Sequence, residues 1–184
     1  MIQNTDVTPV KRWGRENVAR FVRDVYDRIG TDHSYRARLR RALSPTQAPQ
    51  IWGDLTAYID ITKASERSLF TLIGASIALE DAGSPGSYGL GATLRACATD
   101  KASKSDDKSD PQVARLRRIL RCRTSDDLCD VLRPILALIR SRRPGSLDYA
   151  GLLDELLSFD FAQERIKAKW VNDFYGRRIE EDNK

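Results

Sequence analysis

Arginine is the residue type with the most chemistry to offer in this chain, and it comes in two blocks. Arg36, Arg38, Arg40 and Arg41 form the first, and Arg115, Arg117, Arg118, Arg121 and Arg123 the second, with no Asp or Glu interrupting either. A guanidinium carries five N–H donors in a planar fork that matches phosphate or carboxylate oxygens, and it stays charged at every physiological pH. At about 100° per residue, Val113, Leu116, Ile119 and Leu120 share one apolar arc, while Arg117, Arg118 and Arg121 gather on the other side. Arg117 and Arg121 stand one turn apart, at a like-charge cost of about 0.2–0.5 kcal/mol. A phosphate backbone would remove that cost. The alternative is a solvated face paired with acids from elsewhere in the fold. Guanidinium outnumbering ammonium, with no local acid, favours an anion. Arg165 and Lys169, one turn apart and opposite Ile166, Trp170 and Phe174, make a third candidate patch.

Material for catalysis is poor. The single histidine, His33, has no cysteine near it, and the sequence contains no HExxH, no GxSxG and no Walker loop. Asp24 with Asp27, or Asp126 with Asp127, has the chemistry to hold a divalent metal, but helix N-terminal charge and solvated faces explain them better. Glycines 83, 86, 89 and 91 precede a helix as phosphate-cradling loops do, yet no strand leads into them, so an interhelical loop is the reading. Trp13, Trp52, Trp170, Phe174 and Tyr175 have ring faces on which bases can stack, but their helical spacing among aliphatic residues assigns them to the core. Neither arginine block follows a short turn with base-reading polar residues, so sequence-specific helix-turn-helix readout is not expected. No catalytic residue, metal or cofactor is predicted.

Elements must position these side chains, and the apolar pattern says which. The 184 residues are 41% apolar, with 31 Lys and Arg against 26 Asp and Glu and a formal charge of +5. So small a surplus matters only if it is patchy. Three cysteines without metal-ligand spacing read as reduced thiols, and no stretch approaches the ~20 apolar residues of a membrane span or a signal-peptide pattern, which predicts a soluble, cytoplasmic protein.

Apolar residues recur at helical spacing almost throughout, so the fold class is all-α. A helix is expected over about 13–29, closed by Gly30. A second carries Tyr35, Leu39 and Ala42 inward with arginines on both flanks and ends at Pro45. A third runs through Trp52, Leu55 and Ile59, and Leu69, Phe70, Ile73 and Ile77 mark a strongly apolar fourth. Residues 82–91 read as a loop leading into a short helix with Leu90 and Leu94. The stretch from Thr99 to Asp110 is almost devoid of apolar side chains and reads as a flexible connection between two small helical bundles, 1–98 and 112–184, with the connection at 99–111. Beyond it a helix reaches Arg121. Thr124 and Asp127 form a capping box for another, in which Pro134 implies a kink or a later start. Leu152, Leu153, Leu156 and Leu157 define one more helix, and Phe161, Ile166, Trp170 and Phe174 the last.

Four segments in this order, RARLRRALSP, GSYGLGATLRA, RLRRILRCRTSDDL and WVNDFYG, resemble the CasB family, the small subunits of the type I-E CRISPR surveillance complex Cascade. The resemblance runs from about residue 13 to 175. It implies an all-helical protein without catalytic activity, two copies of which act as a strut beside the backbone and large subunits. Such a subunit would meet guide RNA and target DNA, especially the displaced single strand, and stabilise the R-loop in antiviral defence. By motif, the resemblance assigns nucleic-acid contacts to Arg40, Arg41, Arg95 and Arg121. The helical-face argument alone adds Arg36, Arg38, Arg117 and Arg118. An architectural protein–protein adaptor and a stand-alone helical DNA-binding regulator are the alternatives. The acidic, serine-rich stretch around Asp106 and the tail after Gly176 depart from the family pattern.

Overall fold

A computed structural model describes residues 15–80, 83–98 and 110–176. Trp13, residues 81–82, nearly all of the expected connection (99–109) and the tail 177–184 lie outside the described residues.

The expected all-α architecture is what the chain adopts. Its helices are α1 (Arg15–Thr31), α2 (His33–Ala42), a 3-10 turn (Ala48–Ile51) running into α3 (Trp52–Leu55), α4 (Ala64–Leu79), α5 (Leu90–Ala96), α6 (Pro111–Leu120), α7 (Ser125–Arg142) and α8 (Tyr149–Tyr175). The helix α4 is apolar on every side and accordingly sits at the centre, packed against α1, α2, α3, α7 and α8. A Cβ at Gly74 would come within 3.1 Å of Leu39 and 3.3 Å of Phe21, so the missing side chain lets α4 approach α1 and α2 closely. One cluster of buried side chains runs from Val18 in α1 to Phe174 in α8, so both halves of the chain contribute to it.

Several expectations are corrected. Gly30 does not end α1. The helix continues to Thr31, and Asp32 starts α2 at once by accepting the Tyr35 N–H at 2.8 Å, so the turn needs a single residue. The third helix is only α3, and Ile59 lies beyond it in a turn. The helix α7 passes through Pro134 without a break, because Pro134 faces solvent and water can serve the carbonyl that loses its partner. The last two expected helices are one, α8, kinked at Ala162 (φ −135°, ψ 31°). Phe161 is not a core residue: it is 92% exposed. The capping box forms as expected, with Thr124 Oγ1 accepting from the Asp127 N–H and Asp127 from the Thr124 N–H, both at 3.1 Å.

The glycine-rich loop is a packing device. Gly86 and Tyr88 N–H groups donate to Leu147 and Ser146 carbonyls, and the Asp148 N–H returns to Tyr88, making one parallel bridge between the two loops. Those amides are therefore spent on protein. A Cβ at Gly91 would sit 2.2 Å from the Trp170 carbonyl, so glycine there allows α5 to lie against α8.

Glu80, just past α4, is a buried carboxylate at a junction. It is 2% exposed, accepts from Tyr26 of α1 at 3.5 Å, and has Gly145, Tyr149 of α8 and Arg140 of α7 near it. Burial raises its pKa above the usual 4.5, against the opposing pull of those groups. The folded chain then holds a proton that the unfolded chain releases as pH passes 4.5. Its contribution to stability is full below that pH and is lost as pH climbs through the raised folded value. Glu80→Gln should flatten this slope in urea unfolding measured from about pH 4 to 8. An unchanged slope would mean the carboxyl is solvated.

Candidate nucleic-acid interface

The two arginine blocks, alike in sequence, have different fates. Arg36 donates from Nε to the Ala78 carbonyl (3.2 Å) and from a terminal nitrogen to Glu80 O (3.1 Å), and Arg40 Nε donates to Ala78 O at 2.8 Å. Both serve carbonyls left without helical partners where α4 ends, a favourable place for a cation. Arg38 pairs with Asp54 at 3.3 Å and donates to Ser34 Oγ at 2.9 Å. Arg41 returns to Ala37 O of its own helix at 3.3 Å. The first block is thus largely committed to holding α2 against α4 and α3. Arg40 and Arg41, both exposed, keep their terminal N–H groups without a partner among the described residues.

Arg117, Arg118 and Arg121 stand differently. All three are exposed, and among the described residues none of their side chains has an ion-pair or hydrogen-bond partner. The helix that carries them buries Val113, Leu116 and Ile119, as the periodicity requires, and packs on α5 and α7. Arg117 and Arg118 occupy its last turn and Arg121 is its C-cap, so all three lie at the partly negative helix end. Of the rest of that block, Arg115 donates to Gln112 at 3.3 Å, while the exposed Arg123 side chain makes no hydrogen bond or ion pair among the described residues, though its charge is felt at Asp127.

Around this corner Asp127 and Asp160 are engaged by other groups. Asp127 accepts from the Arg123 and Thr124 N–H groups, and these bonds hold its pKa below the usual value. Asp160 of α8 accepts from the N–H and hydroxyl of Ser125, both at 2.8 Å. From α8, Gln163 donates to the Arg123 carbonyl at 2.5 Å. Burial and Asp127 raise the Cys122 pKa, while Lys167 and Arg118 pull it down. Sequence spacing does not single out Lys167 for this corner. Its only signal is its place on the flank of the last helix, two residues past Arg165.

The remaining candidates are dispersed. Arg95 pairs at 2.9 Å with Asp110, whose side chain is 2% exposed, and lies over the Phe174 ring. That ion pair belongs to the junction of α5, α6 and α8. Of the third patch, Lys169 is held between Glu155 (2.9 Å) and Asp173 (2.8 Å), while Arg165 is exposed without a partner among the described residues. Trp170 and Phe174 are buried as expected, Trp52 lies under Arg67, and Tyr175 is 48% exposed. Cys97, Cys122 and Cys129 are free and buried, and burial pushes all three thiols up, Cys129 to about 12. Thiols in that state are poor nucleophiles. Among the described residues no group of three His, Cys, Asp or Glu side chains is placed to hold a metal, and no helix is long and apolar enough to cross a membrane.

An all-helical protein built on one buried helix, with the guanidiniums of Arg117, Arg118 and Arg121 standing open at the end of α6 among the described residues, is the class that fold and surface define. The family model for CRISPR-associated protein Cse2 matches residues 35–175, and the chain belongs to that family. The CasB resemblance drawn from the motifs is thereby borne out. A CRISPR-associated protein Cse2 from Thermus thermophilus is 29% identical over 122 residues, which cover 66% of this chain and 64% of the relative, just under two thirds of its length. Two solved structures from the same organism cover 87% of this chain and 98% of their own. One is a Cse2-family protein at 24% identity (TM-score 0.65), the other CasB at 25% (TM-score 0.62). A chain of a CRISPR RNA-guided surveillance complex shares the fold at 23% identity and TM-score 0.63, covering 87% of this chain and 91% of its own.

Proposed function

We propose that this chain is the non-catalytic small subunit of a type I-E Cascade complex, working in the cytoplasm beside the backbone and large subunits and a second copy of itself. In that role it steadies the R-loop by gripping nucleic-acid phosphates without reading bases, while guide RNA pairing with target DNA supplies sequence choice. The observation that carries this reading is the set of three exposed, partnerless guanidiniums at Arg117, Arg118 and Arg121 among the described residues. Family membership and the shared fold with a chain of an RNA-guided surveillance complex support it. Arg40 and Arg41 extend the contact with their unused N–H groups. Arg36, Arg38 and Arg95 contribute mainly by fixing the helices from which the others project.

A salt series tests the phosphate grip. Each neutralised phosphate contributes about −0.7 to the slope of log K against log salt on single strands, so three to five contacts predict a slope of roughly −2 to −3.5 for the displaced strand. A flat line would defeat the proposal and leave the adaptor reading, in which the ridge meets acidic patches on partner proteins.

A further inference from the structure

Phe161 is the most exposed large apolar side chain among the described residues, at 92%, while Phe21, Phe70, Phe159 and Phe174 are each 2% exposed or less. Single apolar residues on a surface are ordinary, so exposure alone carries nothing. Its position does. Phe161 lies at the α8 kink, next to Ala162, and the residues around it are tied to the α6–α7 corner. Asp160 holds both polar groups of Ser125, and Gln163 holds the Arg123 carbonyl. The stretch of α8 that carries the ring is therefore tied on both sides to the segment that follows α6, which bears Arg121 and Arg123. Asp126 and Glu164 also stay exposed nearby, but the arginines of the corner outnumber them. An open aromatic face on a fixed helix near open cations is the combination that retains an unstacked nucleotide: charge tracks the backbone and the ring accepts any base. A duplex, with its bases stacked inside, offers nothing to such a ring.

We infer that Phe161 is a stacking platform for an unpaired base of a single nucleic-acid strand whose phosphates run along Arg117, Arg118 and Arg121. This rests on the phosphate reading of the ridge and adds the group that holds the strand's bases. A protein partner is the competing occupant, disfavoured because the cations around the ring call for a polyanion.

The test titrates the full-length chain at low salt with an oligothymidine of about 20 nucleotides, the same strand carrying abasic sites, and a duplex of equal length. Phe161→Ala is expected to weaken oligothymidine binding about tenfold while leaving the abasic strand and the duplex unchanged. Phe161→Trp should restore the affinity and Phe161→Leu should not, because the ring face and not apolar area is at work. The thermal midpoint should not move, since the side chain packs on little. If oligothymidine affinity survives Phe161→Ala but falls with Arg117, Arg118 and Arg121 reversed, stacking is overturned and the ridge reading stands. If the unaltered chain binds none of the three probes, the ridge reading falls and takes stacking with it. Loss of co-purifying protein subunits from Phe161→Ala, with oligothymidine affinity intact, would assign the ring to a protein contact and overturn the inference.

Discussion

Reversing Arg117, Arg118 and Arg121 together to glutamate is expected to lower single-strand affinity by at least about a hundredfold at low salt and to flatten the salt slope by about 2. The first figure follows from losing three charge-assisted contacts worth more than about 1 kcal/mol each, the second from three fewer displaced counterions. Folding should survive. None of these side chains has a partner among the described residues, so the structural cost is limited to placing acids at the negative end of α6, about 0.3–1 kcal/mol each. The assembled complex provides the decisive comparison. Subunit co-purification should persist while R-loop lifetime falls. Lost co-purification with unchanged R-loop lifetime would make the ridge a protein interface. The same reversal at Arg36 and Arg38 should instead unfold the chain at lower denaturant, because those guanidiniums serve the α4 carbonyls and Asp54.

Trp170→Ala is expected to cost about 3–5 kcal/mol of unfolding free energy, the usual loss for a large aromatic removed from a packed core. Trp170 is fully buried, stacks on Phe159 with ring centroids 5.9 Å apart at 13°, and donates its indole N–H to Glu155 at 2.6 Å. Total stability of a domain this size is on the order of 5–15 kcal/mol, so the variant should unfold at much lower urea concentration and populate unfolded chain when warmed. Trp170→Phe keeps most of the apolar volume and loses the hydrogen bond, and should cost roughly 1–2 kcal/mol. Near-equal losses for the two variants would mean that the polar contact, not the packing, dominates. The consequence reaches α5. Trp170 offers the carbonyl against which Gly91 lies, so a collapse here would also loosen Arg95 and its bond to Asp110.

The relation between pattern and placement differs from element to element. Tyr35, Leu39 and Ala42 are buried in α2 and Val113, Leu116 and Ile119 in α6, because helical period alone decides which face a short amphipathic helix turns inward. The Thr124–Asp127 capping box is legible for a similar reason: both partners lie within one turn. Phe161 is misplaced by the sequence reading although the period contains the answer, since it stands roughly 140° around the helix from Ile166. Grouping it with the nearest apolar residues overrides that angle. Pro134 carries too much weight in the same reading, because the effect of a proline depends on whether the orphaned carbonyl faces water, which sequence does not state.

By itself, then, the sequence determined an all-α chain, the inward faces of its main helices, the one capping box at Thr124 and Asp127, its family and the two blocks of guanidinium. These depend on local spacing or on residue order. Only the tertiary structure decided that one block is tied to carbonyls at the end of α4 and to Asp54 while the other stands open. The partners of Arg36 at the end of α4 are more than forty residues away in the chain, and those of Arg38 and Arg40 are 16 and 38 away. Two runs of like charge look identical until the chain folds and brings acceptors to one of them.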